Sequence, residues 1–163
     1  MFDLINGIPV HPLVVHAVVV LLPLAMLGTV AIAVRPQWRV RYGPLVIATA
    51  AAAAILCPVA TSSGEALEER VGDPSYDHAE LGESLVWFAI ALVVVAALLY
   101  YLQRKHEKTL AAAPDAATKN PVLTGVAVLA VVVSLAATYQ VYRVGDSGAK
   151  SVWKDEATSS TGD

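Results

Sequence analysis

Residues 12–34 read PLVVHAVVVLLPLAMLGTVAIAV, and this stretch decides the class of fold. It contains no Asp, Glu, Lys or Arg, and its one histidine is His16. A helix that crosses a lipid bilayer needs roughly 17–25 consecutive and mostly apolar residues. The stretch is therefore predicted to be a membrane-spanning helix.

Three further apolar runs follow the first, separated by polar segments. Charged residues make up 15% of the chain, whereas soluble domains carry about 25%. We therefore expect an all-α integral membrane four-helix bundle that crosses the cell membrane several times. Its predicted spans cover residues 12–34, 44–62, 80–102 and 121–142. Residues 1–153 would form this single membrane domain, and residues 154–163 a disordered tail.

A cleaved signal peptide is a competing interpretation of the first run. Ala31-Ile32-Ala33 has the small residues of a cleavage site. The residues before the run, however, include Asp3 and no Lys or Arg, and the run is longer than a signal-peptide core. These features favour a retained span.

The orientation follows from the distribution of Lys and Arg, which are enriched in cytoplasmic loops. The connections after the first and third spans hold seven of them: Arg35, Arg39, Arg41, Arg104, Lys105, Lys108 and Lys119. The opposite side holds four: Arg70, Arg143, Lys150 and Lys154. The basic connections are predicted to be cytoplasmic, which places both termini outside the cytoplasm.

With this topology, three of the four histidines fall at the outer ends of the helices. His16 lies about one turn inside the first span, where an ionisable group usually faces the bundle interior. Imidazole is the commonest side-chain ligand of transition metals and also binds haem iron. The residues predicted to hold a metal or cofactor at this layer are His11, His16, His78, Glu65 and Asp146.

Each of these residues also has a purely structural interpretation. His16 would satisfy its ring by hydrogen bonding to a neighbouring helix or to interfacial water. His78 follows Asp77, a candidate N-cap with Glu80 three residues later. Glu65 would be a solvated residue of an emerging helix, and Asp146 would organise a turn at residues 145–148.

Three parts of the sequence stand out together: Gly7-Ile8-Pro9-Val10-His11-Pro12-Leu13-Val14-Val15-His16, His78, and Val141-Tyr142-Arg143-Val144-Gly145-Asp146-Ser147-Gly148-Ala149. In these residues the sequence resembles a bacterial membrane family known as domain of unknown function 2231. The resemblance extends from about Gly7 to about Trp153. It implies four transmembrane helices and kinship with small haem-binding b-type cytochrome bundles.

The family's pattern also bears on the histidine that would ligate haem. Relatives often have a histidine in the turn after the fourth helix, where this chain has Asp146. The resemblance therefore leaves His16 and His78, on the first and third helices, as the implied pair of haem ligands.

Three functions remain open at the level of sequence. The first is a redox protein with one b-type haem bound by His16 and His78, with His11 nearby and room for the porphyrin at Gly125, Ala130 and Ser134. The second is a non-haem transition-metal site or sensor. The third is a non-catalytic accessory subunit of a membrane complex, such as a respiratory one, or a homo-oligomer.

Motifs of common enzyme classes are missing from the sequence. It contains no phosphate-cradling glycine loop, no nucleophile elbow and no Cys-x-x-Cys, so an enzymatic activity is left undecided. The basic residues are too few for a nucleic-acid surface. The partner that the composition does imply is the lipid bilayer.

Overall fold

A computed structural model describes the backbone of residues 4–5, 8–71, 76–112 and 120–159, and the side chains of residues 10–66, 80–112 and 120–150. A two-residue antiparallel pairing joins β1 (Leu4–Ile5) to β2 (Ile8–Pro9). The remaining elements are helices: α1 (Val10–Val34), α2 (Pro36–Val71), α3 (Tyr76–Glu83), α4 (Leu85–Ala112) and α5 (Pro121–Ser159).

The four-span prediction is confirmed. The segments long and apolar enough to cross a membrane are Val10–Val34, Pro36–Ala66, Glu80–Ala112 and Pro121–Lys150. The long helices pack as a ring in which α1 and α4 each contact both α2 and α5. Large aromatic side chains are exposed near both ends of the spans, as is typical of the membrane–water interfaces: Trp38, Tyr42 and Tyr101 at one end, Trp87, Tyr139 and Tyr142 at the other.

The core between the helices is built largely from small residues. Ala50 and Ala53 of α2 are fully buried, and Cys57 is buried one turn further along. Without a hydrophobic driving force in lipid, small residues stabilise a bundle by letting helix backbones approach closely. A Cβ added at Gly28 would lie 2.9 Å from Val46 Cγ2, so α1 and α2 are in direct contact there.

The first connection is much shorter than the sequence predicts. Arg35 is the single residue between α1 and α2, and α2 begins at Pro36 rather than at Pro44. Proline is favoured in the first turn of a helix because the backbone N–H that it lacks would have no intrahelical acceptor there. Arg39 and Arg41, predicted in a loop, therefore lie on helical turns.

The third span is interrupted where the sequence predicts a continuous helix. Ser84 lies in a turn between α3 and α4. The buried amide of Gln140 on α5 donates to Ser84 Oγ at 2.6 Å and approaches Leu81 O at 3.3 Å. Ser84 Oγ itself donates to Leu81 O at 2.7 Å, so Gln140 joins a local hydrogen bond at the interruption and ties it to α5.

The last helix continues through the segment predicted as a turn. Residues 145–148 are helical, and Ser147 Oγ donates to Val144 O within the helix. Each glycine inside a helix costs about 1 kcal/mol relative to alanine, and the segment is helical despite this cost. The turn prediction at Asp146 is wrong, and the backbone of residues 154–159, placed in the tail by sequence, is helical as well. Residues 160–163 lie outside the described part.

Candidate functional site

His11 connects the start of α1 to the C-terminal part of α2. Its Nδ1 lies 2.9 Å from Ala60 O and 3.3 Å from Ser63 Oγ, and its ring is half-buried. Gly64 provides the space for this contact, because a Cβ there would lie 3.0 Å from the imidazole Cε1. The imidazole is thus held against α2 by both packing and hydrogen bonding.

The partners of His11 determine which ring nitrogen carries its proton. A carbonyl oxygen only accepts, so Nδ1 must be the donor to Ala60 O, and in the neutral ring Nε2 then keeps its lone pair. Ser63 Oγ donates to the same carbonyl at 3.0 Å. His11 therefore joins two helices through Nδ1, and its Nε2 makes no hydrogen bond within the described residues.

His16 lies on a different side of α1 from His11. Five residues at 100° each place the two side chains about 140° apart around the helix. Because His11 faces α2, His16 is directed out of the bundle and is exposed. Its Nδ1 lies 2.5 Å from Pro12 O, one turn back on the same helix. The expectation that His16 faces the interior is wrong for this reason.

The described residues place His16 and the space proposed for a porphyrin differently from the expectation of the haem hypothesis. His16 points outward, and the side chain of His78 lies outside the described residues, so the His16–His78 pair stays a prediction. The space proposed for the porphyrin is also occupied by packing. Ala130 and Ser134 are buried, with Ser134 Oγ donating to Ala130 O, whereas Gly125 is exposed on the outside of α5.

The acidic residues of the predicted metal set are used elsewhere or exposed. Asp146 accepts a hydrogen bond from Lys150 Nζ at 2.6 Å, one turn along α5. Glu65 is exposed on α2. Among residues 10–66, 80–112 and 120–150, no three His, Cys, Asp or Glu side chains lie close enough to hold a metal ion together.

The most extensive polar contact is at the opposite end of the bundle, where sequence reasoning placed only a loop. The Arg39 side chain is buried, with 5% of its surface exposed. Its Nε donates to Ile32 O at 2.9 Å, and its Nη2 donates to Ala33 O at 2.8 Å. Its Nη1 donates to Gln103 Oε1 at 3.2 Å, which connects α2 to α4.

The end of α1 explains why a buried guanidinium is stable at this place. The last four carbonyls of a helix lack intrahelical donors and carry the negative end of its dipole. Ile32 and Ala33 lie in the last turn of α1, so Arg39 caps that helix from the next one. Gln103 continues the network by donating to Glu107 Oε1 at 3.1 Å. Sequence reasoning missed Arg39 because it placed residues 35–43 in a loop, where a solvated arginine is expected.

The contact of His11 leads to a first prediction. Replacing His11 with leucine removes the hydrogen bond to Ala60 O and leaves that carbonyl with fewer donors, so we expect a loss of about 1–2 kcal/mol in the free energy of unfolding. Unfolding in mixed micelles by a denaturing detergent measures this. His16→Leu is the control: its exposed ring contacts only its own helix, and we expect a change within about 0.5 kcal/mol. Equal losses in the two variants would contradict the assignment.

The chain is similar to a known protein family. Neither a curated protein nor a solved structure matches the chain significantly. The sequence profile of a family described as "Predicted membrane protein (DUF2231)" matches residues 7–161, which include all four spans and both polar ends. The chain therefore belongs to the DUF2231 family of predicted membrane proteins.

Proposed function

We propose that the chain is a non-catalytic structural subunit of a membrane complex. The observation that carries this proposal is the use of His11, the half-buried histidine of the outer layer, to fasten α1 to α2. At the other end Arg39 is used in the same way between α1, α2 and α4. Two side chains that could take part in chemistry are thus engaged in contacts between helices.

A rigid bundle of this kind suits a role in assembly. Its interior is closely packed, and its exposed side chains at the outer end include His16, Trp87 and Tyr139. Aromatic side chains are enriched where protein partners meet, and Trp87 exposes 71% of its surface. The partner would be another membrane subunit or a second copy of this chain.

The second candidate function is binding of a metal ion or haem through His16. The specific observation in its favour is that Nδ1 of His16 bonds to Pro12 O, because a backbone acceptor at one ring nitrogen orients a histidine that binds a metal through the other. In this case His16 would bind from the outside of the bundle, toward a group held partly by a partner. The His16–His78 pair stays a prediction.

One preparation separates the two candidates. We would tag the chain in its native membrane, extract it in mild detergent, and measure the mass of the complex, the visible absorption spectrum and the metal content. The structural role predicts a stoichiometric assembly larger than one chain, without a Soret band or bound metal in the isolated chain. If all of the chain extracted from the native membrane is monomeric, the structural role is refuted.

Histidine variants assign any signal that appears. A Soret band or stoichiometric metal that is lost in His16→Ala but kept in His106→Ala would favour the second candidate, since His106 lies at the opposite end of the bundle. Assembly that persists in His16→Ala, with no chromophore in either variant, would favour the structural role.

A further inference from the structure

Arg35 and the first turns of α2 carry, on the exposed surface, two adjoining aromatic rings with an arginine at each end. The Arg35 guanidinium lies 4.9 Å from the centre of the Trp38 ring. Trp38 meets Tyr42 edge to face, with the ring centres 5.7 Å apart. The Arg41 guanidinium lies 5.4 Å from the centre of the Tyr42 ring. We call these four residues the Arg–aromatic ladder.

The ladder lies at the boundary between the apolar spans and water. On one side of it, Leu45 on α2 exposes 66% of its surface, and Val34 at the end of α1 exposes 61%. The neighbouring helix α4 is level with it, because Gly43 packs against Tyr100 and Arg39 bonds to Gln103. Exposed apolar residues beside exposed tryptophan and tyrosine are typical of the headgroup layer of a bilayer.

The two arginines of the ladder have no acidic partner among the described residues. No carboxylate lies within salt-bridge distance of Arg35 or Arg41 in that part of the chain. Glu107, the described acid at this end, accepts its hydrogen bond from Gln103. A guanidinium stacked on a ring still has its edge N–H groups available for an anion. Within the described residues, the ladder therefore presents two cations without an acidic partner, at the depth expected for headgroups.

We propose that the Arg–aromatic ladder binds the phosphate of an anionic phospholipid. Arginine recognises phosphate oxygens by paired, charge-assisted hydrogen bonds, and the rings fit against the glycerol and upper acyl region. A zwitterionic choline lipid brings its own cation close to the guanidinium groups, which weakens the attraction. A free phosphate lacks the apolar part that would contact Trp38 and Tyr42. The ladder is thus expected to bind lipids with an anionic headgroup in preference to zwitterionic ones.

The fluorescence of Trp38 reports on this site directly. In a background with Trp87→Phe and Trp153→Phe, Trp38 is the one tryptophan of the chain. The protein is reconstituted in two vesicle preparations, one with brominated phosphatidylglycerol and one with brominated phosphatidylcholine, each at the same mole fraction. The ratio of Trp38 quenching in the two preparations gives the relative binding of the two lipids. We expect brominated phosphatidylglycerol to quench Trp38 more strongly.

A double variant and a matched control test the role of the ladder. Arg35→Gln with Arg41→Gln should lower the preference for phosphatidylglycerol, by roughly fivefold for each arginine removed. Arg104→Gln with Lys105→Gln removes the same charge from exposed positions at the same end, and should keep the preference. Circular dichroism confirms that both variants keep the helix content of the parent.

Three results would overturn the proposal. The first is equal quenching by the two lipids in the parent, and the second is an equal loss of preference in the control and the ladder variants. The third is relief of phosphatidylglycerol quenching by millimolar inorganic phosphate at constant ionic strength, which would show that a soluble anion occupies the site.

Discussion

Replacing Arg39 with glutamine is expected to lower the free energy of unfolding by about 3–5 kcal/mol, the largest effect of any single polar substitution we propose. The change leaves Ile32 O and Ala33 O at the end of α1 without their side-chain donors and breaks the contact to Gln103. Glutamine is too short and has too few donors to replace the guanidinium. Equilibrium unfolding in mixed micelles measures the loss.

Two further variants make this test specific. Arg39→Lys keeps the charge but not the planar arrangement of donors, so its stability should fall between those of the parent and Arg39→Gln. Arg104→Gln removes an exposed charge from the same end of the bundle and should change stability by no more than about 0.5 kcal/mol. If Arg39→Lys or Arg104→Gln proves as unstable as Arg39→Gln, the capping explanation fails.

Gly28→Ala is expected to have the second largest effect, a loss of about 1–3 kcal/mol. The added methyl would lie 2.9 Å from Val46 Cγ2 and 3.4 Å from Val46 Cγ1. Valine has a restricted χ1, so it cannot move aside easily, and α1 and α2 must separate instead. Unfolding in mixed micelles gives the value, and the thermal midpoint in mild detergent should fall with it.

A double variant shows whether the crowding is the cause. Val46→Ala makes room for the new methyl. The loss in the free energy of unfolding of the double variant Gly28→Ala with Val46→Ala should therefore be about 1 kcal/mol smaller than the sum of the two single losses. Gly125→Ala is the control, because nothing lies within 4 Å of a Cβ there. In that open position, alanine should raise stability by about 0.5–1 kcal/mol. Additive losses, or destabilisation by Gly125→Ala, would refute the steric explanation.

Four spans were predictable because each is specified locally, by an apolar run such as residues 12–34 that is long enough to cross a bilayer. The ends of the helices were not, since they depend on partners distant in sequence. Helix α2 begins at Pro36, and its residue Arg39 caps the preceding helix α1. Helix α3 ends before Ser84 and α4 begins after it, and Ser84 accepts a hydrogen bond from Gln140 of α5. Neither contact can be read from the sequence of one apolar run, because each joins residues of different helices.

The predicted site shows the same division between local and distant information. That His11 and His16 lie at one end of α1 follows from their positions in the sequence. Which of them faces the bundle depends on the rotation of α1, and this is fixed by contacts such as His11 with Gly64. The depth of an ionisable residue was therefore readable from the sequence, whereas its direction required the packing.

The bonds of Arg39 also have different ranges along the chain, and this bears on biogenesis. Its acceptors on Ile32 and Ala33 are seven and six residues away, whereas Gln103 is 64 residues away. The first two bonds can form while only α1 and α2 have left the ribosome. During synthesis, the first hairpin would then be closed at its turn before the later spans enter the bilayer, and α4 would dock onto a preformed pair.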